Sequence, residues 1–264
     1  MYRENVMKRI LSFALTVSLL AILCPAILST PADSDVPKEK KRSLLASVHR
    51  IAVMPLFYGA DAAKSAADKK KSAQGEKPAP KLSAAQETRR STFQAQRQEL
   101  LSHANERLPE RVATRLPYEV LSKEETNAAL AELKLKPEDL FKESGVTRGT
   151  KFPHPLSEQV KKLAVRMKVD AVIVGVLDDP RYDNGHYYFD PLYGVNYESG
   201  HVNSRAGFYF MLADGTEVLH AYMAVKNPLT PPQSRDYRLA DWTDAQELMI
   251  ENMMDEWTQF TPTK

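Results

Sequence analysis

Val169–Leu177 reads VDAVIVGVL, nine residues with a single charge, and no other segment constrains the fold as tightly. A strand with one wet face alternates apolar and polar residues. A near-continuous apolar run of this length is a strand covered on both sides, so helices must lie above and below the sheet that contains it.

The flanking sequence supplies those layers. Arg50–Phe57 (RIAVMPLF) is a short apolar strand that Pro55 should end or place at an edge. Ser83–Leu116 is helical, with Leu101, Ala104, Leu108 and Val112 forming a stripe of helical period, and Pro109 should kink or split it. Tyr118–Leu121 is a short strand. Ser122 and Glu125 have the spacing of a capping box, opening a helix that runs to about Leu135. Lys136-Pro137 starts another short helix, and His154-Pro155 precedes a helix through Lys168. Asp214-Gly215 then separates two apolar runs and reads as a two-residue hairpin turn. That register pairs Leu212 with Glu217, Phe210 with Leu219, Phe208 with Ala221 and Ala206 with Met223 on a core face. Met211, Tyr209, His220, Tyr222 and Val218 fall on the opposite, half-exposed face. After a proline-rich connector, Asp241 can cap a last helix whose stripe is Trp242, Ala245, Met249, Met253 and Trp257. The expected fold is α/β, a two- or three-layer mixed sheet of four to five strands with an antiparallel C-terminal hairpin and flanking helices.

The N-terminus reads as an address. Lys8 and Arg9 precede an apolar run, Ile10–Leu23, so residues 1–32 are expected to be an export signal cut after Ala26 or Ala32. Cys24 is the one cysteine, and lipidation there would place the protein on the outer membrane. Leu23 is a poor residue before a lipid-accepting cysteine, which favours a periplasmic protein. Residues 33–48 are expected to be a flexible basic linker, and 49–260 a single domain with a low-complexity basic insert at 59–83. Residues 38–90 carry 13 Lys and Arg against 5 Asp and Glu, whereas 91–264 carry 20 against 26. The lysines of 64–81 are either a solvated spacer or an arm on anionic lipid or cell-wall polymer. Beyond residue 32 the chain is formally neutral, which argues against a nucleic-acid partner.

The order IAVMPL, long helix, YEVLSKEETNAALAEL, helix, VDAVIVGVL and antiparallel hairpin resembles the α/β domain of a group of bacterial envelope proteins. The group includes the curli-secretion lipoprotein CsgG, the lipoprotein activators of peptidoglycan synthases and the N-terminal domain of TolB. The resemblance covers Arg50–Val225 and rests on pattern. It implies a non-catalytic protein that works by binding an envelope partner. Two departures stand against it: the charged insert directly after the first strand, and the weak lipidation site.

Catalytic motifs are missing from the sequence. There is no phosphate loop, no G-x-S-x-G elbow and no H-E-x-x-H helix. His186 and His201, with Asp183 or Asp190, could supply imidazole and carboxylate to zinc, which keeps a metal-dependent hydrolase as the alternative. The adjacent Asp178 and Asp179 at a strand exit could be acid and base, or an ordinary polar strand end. No cofactor is expected.

The candidate binding segment is Arg181–His201, RYDNGHYYFDPLYGVNYESGH. It holds six of the chain's 22 aromatic residues: Tyr182, Tyr187, Tyr188, Phe189, Tyr193 and Tyr197. It reads as a long irregular loop, and its rings are expected to dock a partner, to cover the sheet edge, or both. Asp190, Pro191, Gly194 and Glu198 interrupt the alternation that a membrane-crossing hairpin would need, which ranks a secretion-channel role low. Met249, Met253 and Trp257 could form a second gripping surface, though such a stripe usually packs on its own sheet.

Overall fold

The apolar run forms the strand Ala171–Leu177, buried at every residue, in the middle of a seven-stranded mixed sheet. This computed structural model describes residues 37–60, 83–142, 152–183, 187–190, 195–198, 201–228 and 239–262. In chain order the elements are α1 (Lys38–Ala46), β1 (Arg50–Val53), β2 (Phe57–Tyr58), α2 (Ala84–Arg115), β3 (Glu119–Val120) and α3 (Lys123–Glu132). After a 3₁₀ turn at Pro137–Leu140 come α4 (Ser157–Met167), β4 (Ala171–Leu177), β5 (Arg181–Asp183), β6 (Tyr187–Asp190), β7 (Val195–Glu198), β8 (His201–Leu212), β9 (Glu217–Pro228) and α5 (Leu239–Thr258).

The sheet is five ribbons wide. β3, β1 and β4 are parallel neighbours, and β8 and β9 follow antiparallel. β2 continues the place of β1 beside β4, and β5 continues the place of β4 beside β8. Pro55 falls in the break between β1 and β2, where Asn105 of α2 clamps the chain. Its side-chain oxygen accepts from Leu56 N at 2.6 Å and its amide donates to Leu56 O at 3.3 Å.

Three layers result. On one face, α1, α2 and α5 cover Ile51, Ile173, Phe208, Phe210 and Leu219. On the other, α3 and α4 cover Ala52, Val172, Val174, Val176 and Tyr209. The stripe of α2 is Leu100, Ala104, Leu108 and Val112, all fully buried, while Leu101 is only partly covered. Pro109 lies inside α2 without splitting it. The capping box at Ser122 and Glu125 is formed as the spacing predicts. Segment 33–48, expected to be a linker, is helical over Lys38–Ala46, and Leu45 and Val48 are buried in the core. The insert's residues 61–82 and the expected signal lie outside the described residues.

The hairpin differs from expectation by one residue. Leu212 N donates to Thr216 O and Gly215 N to Leu212 O, closing a three-residue loop with Gly215 at φ +86°. Glu217 therefore pairs with Met211 and not Leu212, and the shift turns Val218 into the core facing α5. From Phe210↔Leu219 onward the expected register holds. Tyr209 and Met211, expected to be half exposed, are buried in the cluster that holds Phe141 and Phe152, with the Phe141 ring edge-on to Tyr209. Burial holds the Tyr209 phenol well above its usual range, and its hydroxyl donates to Pro153 O at 2.8 Å.

Asp170 ties three strands at their common end. Its carboxylate accepts from His49 N at 2.8 Å and Arg50 N at 2.9 Å, while its own carbonyl accepts from Ala213 N. Those two backbone donors hold the Asp170 carboxyl below the usual range. A depressed folded value contributes stability that is complete above the unfolded carboxyl pKa of about 3.9 and is lost as pH falls through the folded value. Melting curves recorded from pH 6 downward should therefore lose less stability in Asp170→Asn than in the parent once pH drops below about 4. Parallel losses in the two proteins would contradict this role.

Candidate functional site

Where it is described, the tyrosine-rich segment is strand: β5 pairs with β8 in the main sheet, and β6 pairs with β7. β4 and β8 pair as far as Leu177↔Ala206, and β5 and β8 resume at Arg181↔Asn203, three residues on one side facing two on the other. The same count recurs beyond Asp183↔His201. There β6 and β7 resume at Tyr187↔Glu198 and run to Asp190↔Val195 as a separate two-stranded sheet. The excess at 178–180 has the count of a β-bulge, which bends a strand and turns it away from its sheet.

Tyr182 stands opposite Val202, Tyr188 opposite Tyr197 and Phe189 opposite Asn196. Tyr193 and His186 lie outside the described residues, as do Cys24 and the lysines of 64–81. Of the residues considered for zinc, Asp183 pairs with His201 at the root of the ribbon, and Asp190 lies opposite Val195 at its far end. Among the described residues no group of three or more His, Cys, Asp or Glu is placed to hold a metal ion.

The root of the ribbon is built from two ion pairs. Asp178 is almost fully buried. Its Oδ2 lies 3.4 Å from Arg205 Nη1, its backbone N donates to Arg205 O at 2.8 Å, and its Oδ1 accepts from Asp179 N at 2.9 Å. Asp179 Oδ1 accepts from Arg97 Nε at 2.7 Å. The Arg97 guanidinium lies 3.9 Å from the Tyr58 ring centre, and Tyr58 Oη donates to Arg97 O. The two aspartates that could have formed an acid–base pair are each engaged with an arginine.

A second feature leaves the core at the same place. Arg107–Glu247, Arg111–Glu251 and Arg115–Asp255 pair along α2 and α5 at 3.1, 2.7 and 2.5 Å. Each pair joins residues 140 apart in the chain, so the helices run parallel. By that offset Leu239, the first residue of α5, lies level with Glu99, whereas α2 begins at Ala84. The N-terminal end of α2 thus runs about 20 Å past α5 at 1.5 Å per residue. Every described side chain from Ala84 to Ala95 is exposed, Phe93 among them. The projection ends at Arg97, on Asp179.

Two other recesses among the described residues are narrow or lined by side chains already engaged. Open α/β sheets take ligands at the carboxyl ends of strands where connections leave to opposite faces, here the ends of β1 and β3. Asn105, Leu108, Pro109 and Lys123 fill that crevice and leave a cavity of about 20 Å³, room for about one water. A shallower groove of about 320 Å³ lies between α3 and α4, where Glu125 serves the helix cap and Arg166 pairs with Glu132. Met249, Met253 and Trp257, considered as a gripping surface, are fully buried against the sheet. No helix among the described residues is long and apolar enough to cross a membrane.

No protein-family model and no curated protein matches the chain. Among solved structures it is similar to the LpoB C-terminal domain from Salmonella enterica, at 12% identity over 71% of this chain and 93% of that one, with TM-score 0.32. It is also similar to a lipoprotein from Neisseria meningitidis, at 13% identity over 77% and 99%, with TM-score 0.29. A neuraminyllactose-binding hemagglutinin homolog from Helicobacter pylori matches at 6% identity over 81% and 86%, with TM-score 0.34. Scores this low transfer no residue role.

Clamp residues Arg97 and Arg205 were invisible to sequence reading. Their partners are 82 residues away for Arg97 and across an antiparallel ladder for Arg205, and neither spacing is a local pattern. The one available signal was the adjacent acids at the strand exit.

Proposed function

We propose that this is a non-enzymatic, exported protein of the bacterial envelope that binds a partner protein through the tyrosine-rich ribbon Arg181–His201. The observation that carries the reading is the way the ribbon is built: an aromatic segment, paired at its base through β5 and β8, springs from a fully buried strand. Tyrosine combines a broad rigid ring with a polar tip and few rotatable bonds, which suits a protein interface. The sequence resemblance of Arg50–Val225 to envelope proteins that act by binding supplies the compartment and the class. Peripheral contact of the 64–81 lysines with anionic lipid or cell-wall polymer, and an outer-membrane anchor at Cys24, are subsidiary to this reading and not required by it.

Replacing Tyr187, Tyr188 and Tyr193 together by alanine should weaken a pull-down from envelope extract while leaving the melting temperature nearly unchanged. A large drop in melting temperature would instead assign these rings to the core, and an unchanged pull-down would remove the ribbon from the interface.

A further inference from the structure

We propose that Asp178 and Asp179 are positioning residues that lock the register of the ribbon where it leaves the sheet. The inference rests on the ribbon reading above and specifies what fixes the face it presents. Side chains alternate along a strand with period two, so gaining or losing one residue at the root exchanges the two faces of everything beyond it. The β4–β5 joint, residues 178–180, is where such an excess sits, three residues against Ser204 and Arg205. Both adjacent acids are committed there. Asp178 reaches along the ladder to Arg205, whose guanidinium lies 5.5 Å from the Phe152 ring centre. Asp179 reaches to Arg97 on Tyr58, in the layer that holds α2.

Losing the extra residue at this joint would take one carboxylate away from its arginine and leave a charge buried without its partner, a strongly disfavoured state. Two pairs on consecutive residues thus forbid the slip from both sides. Arg97 is also the residue at which α2 leaves the core. The same clamp therefore sets the ribbon relative to the projecting helix.

The chain has no cysteine besides Cys24, so a nitroxide pair can be placed in the full chain carrying Cys24→Ser, at Thr92→Cys on α2 and Asn196→Cys on β7. Pulsed electron spin resonance should give one narrow distance peak in the parent. Asp179→Asn should broaden it or add a population displaced by about 3.3 Å, the rise of one strand residue. Asp179→Glu, which keeps the carboxylate, should restore the single peak. Arg97→Gln tests the same lock from the helix side should Asp179→Asn fold poorly. A peak equally narrow and unmoved in both Asp179→Asn and Arg97→Gln overturns the proposal. No partner enters this measurement, so a lock that holds alongside a pull-down indifferent to the tyrosines would refute the binding reading alone.

Discussion

Trp257→Ala is expected to lower stability by about 3–5 kcal/mol, the range for emptying a fully buried large aromatic site. Trp257 sits in the last turns of α5 with no exposed surface, its ring edge-on to Phe210 with centres 5.9 Å apart. Phe210 in turn meets Tyr118, in the segment leading into β3, at 5.9 Å. The cavity left by the indole would therefore open in the layer where α5, the hairpin and the start of β3 converge. Relaxation is limited because Arg111 and Arg115 of α2 pair with Glu251 and Asp255 and hold the helix in place. Such half-exposed pairs contribute little stability, but they fix alignment. Urea unfolding with a shared m-value gives the difference directly. A loss below about 1 kcal/mol would mean that the C-terminal helix does not pack as described.

Gly215→Val is expected to cost about 3 kcal/mol, from two separate sources. The backbone at φ +86° is unfavourable for a β-branched residue. In addition, a Cβ there would lie 2.9 Å from both the Cβ and the backbone oxygen of Ser157, a clash with α4 that no side-chain rotation relieves. Gly215→Ala should show most of the same loss, since both penalties arise at Cβ. If Gly215→Ala proved neutral in urea unfolding, the loop would not hold the left-handed conformation assigned to it.

Layering was legible because burial writes itself into composition. VDAVIVGVL could only be a strand covered twice, and the 3.6-residue stripes of α2 and α5 identified what covers one face of it. The capping box was legible because both of its bonds lie within four residues. Elements whose shape depends on a distant partner were not. The one-residue shift at the hairpin arises where Ala213 N bonds Asp170 O, and Pro109 continues a helix whose stripe, Leu108 and Val112 included, is buried in the core. Segment 181–201 looked irregular because charged, glycine and proline residues stand before it and within it, and its pairing with β8 resumes only after three residues face two at 178–180. Its aromatic content was plain. Its strand order was not, since four-residue runs are too short for alternation to rise above noise. The basic stretch before β1 misled for a different reason. Lys38–Arg42 gives the segment a linker's composition, yet one buried side, centred on Leu45 and Val48, is enough to dock it.

Photo-crosslinking in the native host tests the central claim most directly. A photoreactive phenylalanine analogue placed at Tyr188 or Tyr197 should yield one discrete adduct with an envelope protein, and the same probe at exposed Val165 of α4 should not. Adducts absent from both ribbon positions, or identical from all three, would contradict the account.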